Sequence, residues 1–284
     1  MILVTGASGN VGSVLVTELR EQGHDVRAGY HSGQRTAEAA GSGLDAVTVN
    51  LSDPSTLGPA FKNVDAVFLL TAGGPAQPRQ ELNLIEAANA AGVKRIVKLS
   101  VWRADERLTP IAELHRDGEE ALQSSGLAWT FLRPNFYMQN FLRQMAGQIR
   151  ETRSFSQPET TAAIGFVDTR DVARVAASVL TSPGHDGHIY DITGPEALTY
   201  DQAAAVFSQV LGSPVRFVGL TDDEARDRIL RSGLTAAHAD TLIEVSRVYR
   251  DGGAERVTPA VRDLTGNAPV SFDQFVRDHV HVFR

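Results

Sequence analysis

A glycine-rich turn between a short apolar run and an amphipathic helix constrains this chain more than any other feature. Met1–Thr5 reads MILVT, a pattern typical of a buried strand, and Val11–Arg20 repeats apolar residues at helical spacing. Gly6, Gly9 and Gly12 form a G-x-x-G-x-x-G pattern across the junction. In a strand-turn-helix unit such glycines permit a tight turn, admit a pyrophosphate to main-chain N–H groups and let the helix pack closely on the strand. Because a helix N-terminus also attracts anions, the segment predicts a dinucleotide site.

Strand-like runs alternate with helical patterns as far as Pro134. Alternation of this kind produces right-handed βαβ crossovers and a parallel sheet. The predicted fold class is therefore α/β, with a Rossmann doubly wound parallel sheet formed by residues 1–134. After the first strand, the pattern predicts strands at Asp25–Tyr30, Ala46–Val49, Ala66–Leu70, Arg95–Leu99 and Trp129–Leu132, and helices that include Gln80–Ala91 and Ile111–Ser124.

Residues 135–284 lack this regular alternation and predict a smaller α+β part that binds substrate. We expect segments at about 166–195 to return to the sheet domain. The pattern predicts helices at Phe136–Arg150, Val172–Leu180, Tyr200–Leu211 and Asp222–Leu230, strands at His188–Ile192 and Val215–Val218, and a loop containing Ser154, Ser156 and Pro158.

The composition excludes several classes of function. The 284 residues include no cysteine, which rules out disulfides, thiolate zinc sites and a cysteine nucleophile. A net charge of −7 makes nucleic acid a poor partner. No apolar run reaches the roughly 18 residues of a membrane span, and the first residues lack the pattern of a signal peptide. We expect a cytoplasmic protein without nucleic-acid or membrane partners, and without a metal, because His185 and His188 lie in a glycine-containing turn.

The end of the second strand bears on which dinucleotide is bound. An NAD site places Asp or Glu there for the ribose hydroxyls, whereas an NADP site needs positive charge for the 2′-phosphate. Residues 28–35 contain no acid, but they contain His31, Ser32 and Arg35. NADP(H) is therefore favoured. NAD(H) stays open, because a histidine is only partly protonated near neutral pH and Arg35 could be a solvated loop residue.

Four segments, in order along the chain, resemble the NmrA-like branch of the atypical short-chain dehydrogenase/reductase superfamily. They are VTGASGNVG (4–12), AANAAGVKRIVKLS (87–100), ALQSSGLAWTFLRPNFYMQNF (121–141) and FVDTRDVARVAASVL (166–180). Members include NADPH-dependent quinone reductases, triphenylmethane dye reductases and a redox-sensing regulator that binds dinucleotides without turnover. Together with the turn and the second strand, the resemblance implies a cofactor site formed by Gly6, Ser8, Gly9, Asn10, Val11, Gly12, His31, Ser32, Arg35, Asn50, Leu51, Leu70, Thr71, Ala72, Ser100 and Asn135.

The chain departs from the superfamily at the proton relay. Short-chain dehydrogenases use Tyr-x-x-x-Lys, and no tyrosine here is followed by lysine four residues later. The corresponding helix carries His115 and the pair Glu119–Glu120, which we interpret as a solvated face. The candidate catalytic residues are His115, Ser100 and Tyr137, although His115 could equally be a surface histidine and Ser100 a turn residue. Reduction of a conjugated acceptor needs the relay less, because solvent can protonate the stabilised anion.

An aromatic segment follows the sixth strand. Phe136, Tyr137, Met138 and Phe141 suit a flat aromatic substrate, although core packing is the expected role of at least two of them. The sequence favours an NADPH-dependent oxidoreductase that transfers hydride directly to a quinone-like or polycyclic aromatic acceptor, without flavin. The alternatives are a non-catalytic NAD(P)-binding redox sensor and an enzyme that tailors aromatic natural products. A homodimer is left open.

Overall fold

The computed structural model describes all 284 residues and contains two parallel sheets. The larger sheet has seven strands in the order β3-β2-β1-β4-β5-β6-β8, and the smaller one pairs β7 with β9. The predicted α/β doubly wound parallel sheet is thereby confirmed. The strands are β1 (Ile2–Val4), β2 (Val26–Tyr30), β3 (Asp45–Thr48), β4 (Ala66–Leu69), β5 (Arg95–Leu99), β6 (Ala128–Pro134), β7 (Ser154–Pro158), β8 (His188–Ile192) and β9 (Arg216–Leu220).

Helices cover both faces of the large sheet. No helix combines the length and the apolar character that crossing a membrane requires. The helices are α1 (Gly12–Glu21), α2 (Gly33–Gly41), α3 (Leu57–Ala60), α4 (Gln77–Ala90), α5 (Pro110–Gln123), α6 (Ala146–Thr152), α7 (Thr169–Thr181), α8 (Tyr200–Leu211), α9 (Asp222–Arg231), α10 (Ala236–Arg250), α11 (Ala260–Thr265), α12 (Phe272–Asp278) and α13 (Val280–Phe283), with a π-helical turn at Phe141–Met145.

The strand order reverses between β1 and β4. There Ile2 pairs with Ala66 and Val4 with Phe68, while β1 pairs with β2 on its other side. Thr5 fastens the carboxyl ends of β1 and β4, because its Oγ1 accepts from the Leu70 N–H at 2.8 Å and donates to the Leu70 carbonyl at 2.9 Å. In doubly wound sheets ligands bind outside the carboxyl ends of the strands at such a reversal. The fold therefore places the glycine-rich turn at the expected binding edge.

Two apolar layers hold the large sheet between its helices. On one face α1 packs against β1 and β2 and its neighbour α7 packs against β4, β5 and β6, and on the other face α4 and α5 pack against the sheet. All four residues of β4 are buried, which explains why this strand is a continuous apolar run rather than an alternating one. The helix α7 and the strand β8 belong to this sheet layer although they follow residue 134.

A separate aromatic core lies between the π-helical turn, α6, β7, α8, α12 and α13. The rings of Phe141 and Phe272 lie 4.9 Å apart with an interplanar angle of 67°, and those of Phe207 and Phe283 lie 4.8 Å apart at 70°. Such edge-to-face pairs stabilise a core beyond the burial of their area. Met138 and Phe141 are buried here, so two members of the aromatic segment have the core role expected for them.

One structural prediction after residue 134 is wrong, and another is correct except for its start. The helix predicted at Phe136–Arg150 begins at Gln139, because Tyr137 first pairs with Val167. The segment predicted as a loop is the strand β7, whose residue Phe155 is buried in the aromatic core. Its partner β9 lies about sixty residues further along the chain. Helices α2 and α10 to α13 were not predicted.

Candidate active site

The glycine-rich turn has no room for a side chain at its glycine positions, which leaves its main chain open to a ligand. Gly6 has a φ of +64°, and a Cβ at Gly12 would lie 2.2 Å from the Gly6 carbonyl oxygen. The N–H groups of Asn10, Val11 and Gly12 donate to no acceptor within the protein. Unpaired amides at a helix N-terminus are the donors that a pyrophosphate requires, so the turn fits a dinucleotide. Ser8 is exposed beside these amides. Gly9 lets the turn close tightly, because a Cβ at this position would lie 3.2 Å from the Gly6 carbonyl oxygen.

The end of β2 leads directly into a helix. Ser32 caps α2, with its Oγ accepting from the Arg35 N–H at 3.4 Å. His31, Ser32 and Arg35 are exposed, and neither His31 nor Arg35 forms a hydrogen bond or ion pair through its side chain. Since α2 adds a positive helix end beside His31 and Arg35, the site is more favourable to a phosphate than the sequence alone indicates.

The loops after β3 and β4 are anchored to the same edge of the sheet. The Asn50 N–H donates to Thr56 Oγ1 at 3.1 Å, and the Leu51 carbonyl accepts from Asn83 Nδ2 at 2.8 Å. Leu70 packs under the glycine-rich turn, where a Cβ at Gly6 would meet its side chain at 2.9 Å. Thr71 and Ala72 follow, and Ala72 is exposed. The predicted cofactor residues of four strand ends thus share one edge.

A buried ion pair lies beneath this edge, and sequence reasoning missed it. Lys98 Nζ donates to Glu81 Oε1 at 2.6 Å, with both side chains almost fully excluded from solvent. The same oxygen accepts from Thr71 Oγ1 at 3.0 Å and from Gln77 Nε2 at 3.1 Å. The available signal was a lysine inside the strand RIVKL, where every neighbouring position but the first is apolar. A buried charge normally requires a partner, and here the partner comes from α4.

Gly118 allows the ion pair to sit between helices. A Cβ at this position in α5 would lie 1.6 Å from Glu81 Oε2, so no other residue fits without moving the carboxylate. Glu81 Oε2 has no hydrogen-bond partner in the protein. A glycine within a helix is unfavourable by about 1 kcal/mol relative to alanine. The close approach of the Glu81 carboxylate explains why a glycine nevertheless occupies this position in α5.

His115 is a neutral imidazole that accepts hydrogen bonds in this environment. Its Nδ1 lies 3.1 Å from Gln77 Nε2 and 3.3 Å from Lys98 Nζ. An ammonium and an amide nitrogen can only donate, so Nδ1 accepts and the hydrogen resides on Nε2. Burial, followed by the charge of Lys98, holds the pKa of His115 well below 6.5. The side chain is partly buried in a polar cluster, which contradicts the interpretation as a surface histidine.

Ser100 and Glu119 belong to a second buried cluster. Ser100 Oγ donates to Glu119 Oε1 at 2.6 Å, and Arg133 makes a bidentate pair with the same carboxylate at 2.9 and 2.6 Å. Burial alone would raise the pKa of Glu119, but Arg133, Ser100 and Arg116 together hold it below its ordinary value. The prediction that Glu119 faces solvent is wrong, since its carboxylate neutralises a buried arginine of β6; Glu120 is exposed as predicted.

Asn135 ties the end of β6 to the C-terminal part. Its Nδ2 donates to the Ala254 carbonyl at 2.9 Å, and its Oδ1 accepts from the Phe136 N–H at 2.8 Å and from the Tyr249 hydroxyl at 3.3 Å. Burial raises the pKa of Tyr137 far above its usual value and that of Tyr249 to about 12. Both phenols are therefore neutral donors near neutral pH.

A cavity of about 460 Å³ lies between the π-helical turn, β7, α9 and α10. This volume is within the range of small-molecule sites. Phe136, Asn140 and Tyr249 line it, and Arg143 lies at its rim. Arg143 Nη2 donates to Asn10 Oδ1 at 2.5 Å, which joins the cavity to the glycine-rich turn. A π-helical turn at this junction is of the kind often found at functional sites. No group of three or more metal-ligating side chains is present.

The chain is similar to known proteins over its whole length. It is 34% identical over 284 residues to the NAD(P)H azoreductase of Xenophilus azovorans, covering 100% of this chain and 99% of that one. It is 36% identical over 285 residues to the (4-alkanoyl-5-oxo-2,5-dihydrofuran-3-yl)methyl phosphate reductase of Streptomyces griseus, covering 100% and 99%.

A solved structure matches the fold closely. The NADPH-dependent quinone oxidoreductase QOR2 of Escherichia coli, in complex with NADPH, is 26% identical with a TM-score of 0.89, covering 99% of this chain and 100% of that chain. Residues 1–266 match the NmrA-like family. The chain belongs to the NmrA-like family.

Proposed function

We propose that the protein is an NAD(P)H-dependent oxidoreductase that reduces a quinone-like or azo-type conjugated acceptor. The observation that carries the proposal is the contact between Arg143 and Asn10, which joins a dinucleotide-binding turn to a cavity of about 460 Å³. Relatives that are more than 30% identical over the full chain are named as reductases, one of them an NAD(P)H azoreductase. These similarities support a reductase over the alternative of a dinucleotide sensor.

NADPH is the preferred reductant in this proposal. The amides of the 6–12 turn hold the pyrophosphate, and His31, Arg35 and the N-terminus of α2 bind the 2′-phosphate. Leu70, Thr71 and Ala72 border the nicotinamide half at the end of β4, with Asn50 and Leu51 beside the adenosine half. When bound, the cofactor supplies a hydride to the acceptor.

The chemistry balances with one proton and no further cofactor. A quinone, NADPH and a proton give a hydroquinone and NADP⁺, and an azo compound gives a hydrazine in the same way. Phe136 and Tyr249, whose ring centres lie 6.4 Å apart, provide an apolar wall for a flat acceptor. In this scheme the hydride passes directly from NADPH to the acceptor, and no flavin is needed.

Neither His115 nor Tyr137 lines the cavity, so neither is proposed to protonate the acceptor. His115 is neutral, since its pKa is held well below 6.5, and burial raises the pKa of the Tyr137 phenol far above its usual value. Solvent supplies the proton. Ser100 acts by positioning, because its hydroxyl donates to Glu119 at 2.6 Å.

The proposal is tested by following NADPH oxidation anaerobically with purified, flavin-free protein and a panel of quinones and azo dyes. We expect turnover with at least one acceptor, one NADPH consumed for each quinone reduced, and tighter binding of NADPH than of NADH. Tight NADPH binding without turnover of any acceptor would instead support the sensor.

A further inference from the structure

One positive charge beside the cavity has no counter-ion. Arg228 of α9 lines the cavity and is partly buried. Its guanidinium donates to the Ser156 carbonyl at 3.0 Å, to Ser156 Oγ, and to Gln148 Oε1 at 2.9 Å. All of these acceptors are neutral, and Arg228 forms no salt bridge. A desolvated cation normally has an anionic partner.

The surroundings of the cavity do not supply that partner. None of its 21 lining residues is Asp or Glu, although the chain contains 34 acidic residues. On α9 and α10, Asp222 binds Arg247 and Arg250, Asp240 binds Arg226, and Glu224 accepts from the Thr221 N–H. Burial, and then repulsion from Arg231, lower the pKa of Arg228. The cavity is therefore positive in a protein that is negative overall.

Several arginines with restricted exposure are neutralised, whereas Arg95 and Arg153, which do not line the cavity, donate only to the carbonyls of Ser182 and Phe283. Arg133 pairs with Glu119 at 2.6 Å, Arg170 with Asp168 at 2.7 Å and Arg27 with Asp45 at 3.0 Å. Arg228 differs from them in bonding only serine and glutamine. Of its five N–H donors, the Nε–H and one on Nη2 remain without an acceptor.

We propose that the acceptor reduced by this protein carries an anionic substituent, a carboxylate, sulfonate or phosphate, which Arg228 binds at the far wall of the cavity. The inference rests on the proposed function and specifies its substrate class. The two free donors suit an oxyanion, since guanidinium groups bind such anions through paired hydrogen bonds. Arg143 at the rim attracts the same charge, while Phe136 and Leu242 contact the apolar body.

The test compares two dyes that differ only in charge. Binding of para-methyl red, a carboxylate, and of its methyl ester is measured by calorimetry with NADP⁺ present, so that no turnover is needed. We expect the carboxylate to bind more tightly, and Arg228→Gln to weaken its binding about ten- to a hundred-fold while leaving the ester unchanged. Arg231→Gln is the matched control, because Arg231 is an exposed arginine of the same helix that does not line the cavity.

Arg228 also holds α9 to β7 and α6 through its hydrogen bonds to Ser156 and Gln148. A purely structural role can therefore be distinguished from anion binding by its effect on the two dyes. That role predicts equal losses for both dyes, which would overturn the proposal, as would equal affinity of the wild type for both. If Arg228→Gln does not fold, Arg228→Lys is used, which keeps the charge and should weaken only the carboxylate. If NADPH reduces neither these dyes nor the quinones, the proposed function fails, whereas the binding comparison alone decides the role of Arg228.

Discussion

Lys98 and Arg228 are positive side chains that the protein treats in opposite ways. Lys98 is fully buried within the sheet domain, where Glu81 neutralises it at 2.6 Å and Gly118 makes room for that carboxylate. Arg228 lies beside the cavity and meets only neutral oxygens. The comparison indicates two roles for a positive side chain. Lys98 is neutralised by an acid of the same chain and holds the sheet domain together, whereas Arg228 lacks such an acid and is available to an anionic ligand in the cavity.

Removing the compensated cation should have the largest effect on stability. Lys98→Met leaves the Glu81 carboxylate buried without its counter-ion, and breaking a buried pair in this way destabilises a protein by about 3–5 kcal/mol. Chemical unfolding should show this loss. The double variant Lys98→Met/Glu81→Met should recover a large part of it, because neither charge then remains. A double variant as unstable as the single one would contradict the account of the pair.

Filling the space beside Glu81 should have the next largest effect. Gly118→Ala places a Cβ 1.6 Å from Glu81 Oε2, so the carboxylate or α5 must move, at a cost of about 1–3 kcal/mol. Gly147→Ala is the matched control, since Gly147 is an exposed glycine of α6 with no atom within 4 Å of the added Cβ. It should stabilise the protein by about 0.5–1 kcal/mol. Similar changes in unfolding free energy for both variants would rule out the steric explanation.

The exposed basic side chains at the end of β2, His31 and Arg35, extend the comparison to the cofactor. Like Arg228, His31 and Arg35 have no acidic partner, and we expect them to meet the 2′-phosphate. Replacing both by alanine should weaken NADPH binding about ten- to a hundred-fold, since a charge-assisted hydrogen bond contributes about 1.5–3 kcal/mol. NADH affinity, measured in parallel by fluorescence titration, should change little. Equal losses for the two cofactors would show that these residues only shape the loop.

The second compensated cluster should give a smaller, pH-dependent effect. The folded pKa of Glu119 lies below its ordinary value of 4.5, so this carboxylate stabilises the protein fully above that value and progressively less as the pH falls through the folded pKa. Unfolding measured between about pH 3 and 7 should therefore lose stability at the acid end. Glu119→Gln should show a shallower acid slope than the wild type. An unchanged slope would mean that other carboxylates account for the acid sensitivity.

The glycine-rich turn and its place at the edge of the sheet could be predicted from the sequence because their signals are local. The turn at residues 6–12 joins a strand to a helix within twelve residues, and His31 to Arg35 follow the next strand directly. The buried pair could not be found in this way, since Lys98, Glu81 and Gly118 come from β5, α4 and α5. The strand β7 was missed for the same reason, because only its distant partner β9 makes it a strand.

The cavity depends even more on tertiary structure. Arg228 and Ser156 are brought together from positions 72 residues apart, and neither stands in a recognisable motif. The sequence could show that Arg228 is an arginine on a helix, but not that it faces only neutral groups. What identifies it is the absence of an acid among its hydrogen-bond partners and in the cavity lining, which is a property of the folded chain.

Single-turnover kinetics with NADPH deuterated at the transferring position of its nicotinamide test the central claim most directly. Protein, labelled or unlabelled NADPH, and a quinone are mixed anaerobically, and the loss of NADPH absorbance is followed. Direct hydride transfer predicts one NADPH consumed per quinone, without flavin, and a clearly slower reaction with the labelled cofactor. Tightly bound NADPH that is not oxidised by any quinone or azo acceptor would contradict the account.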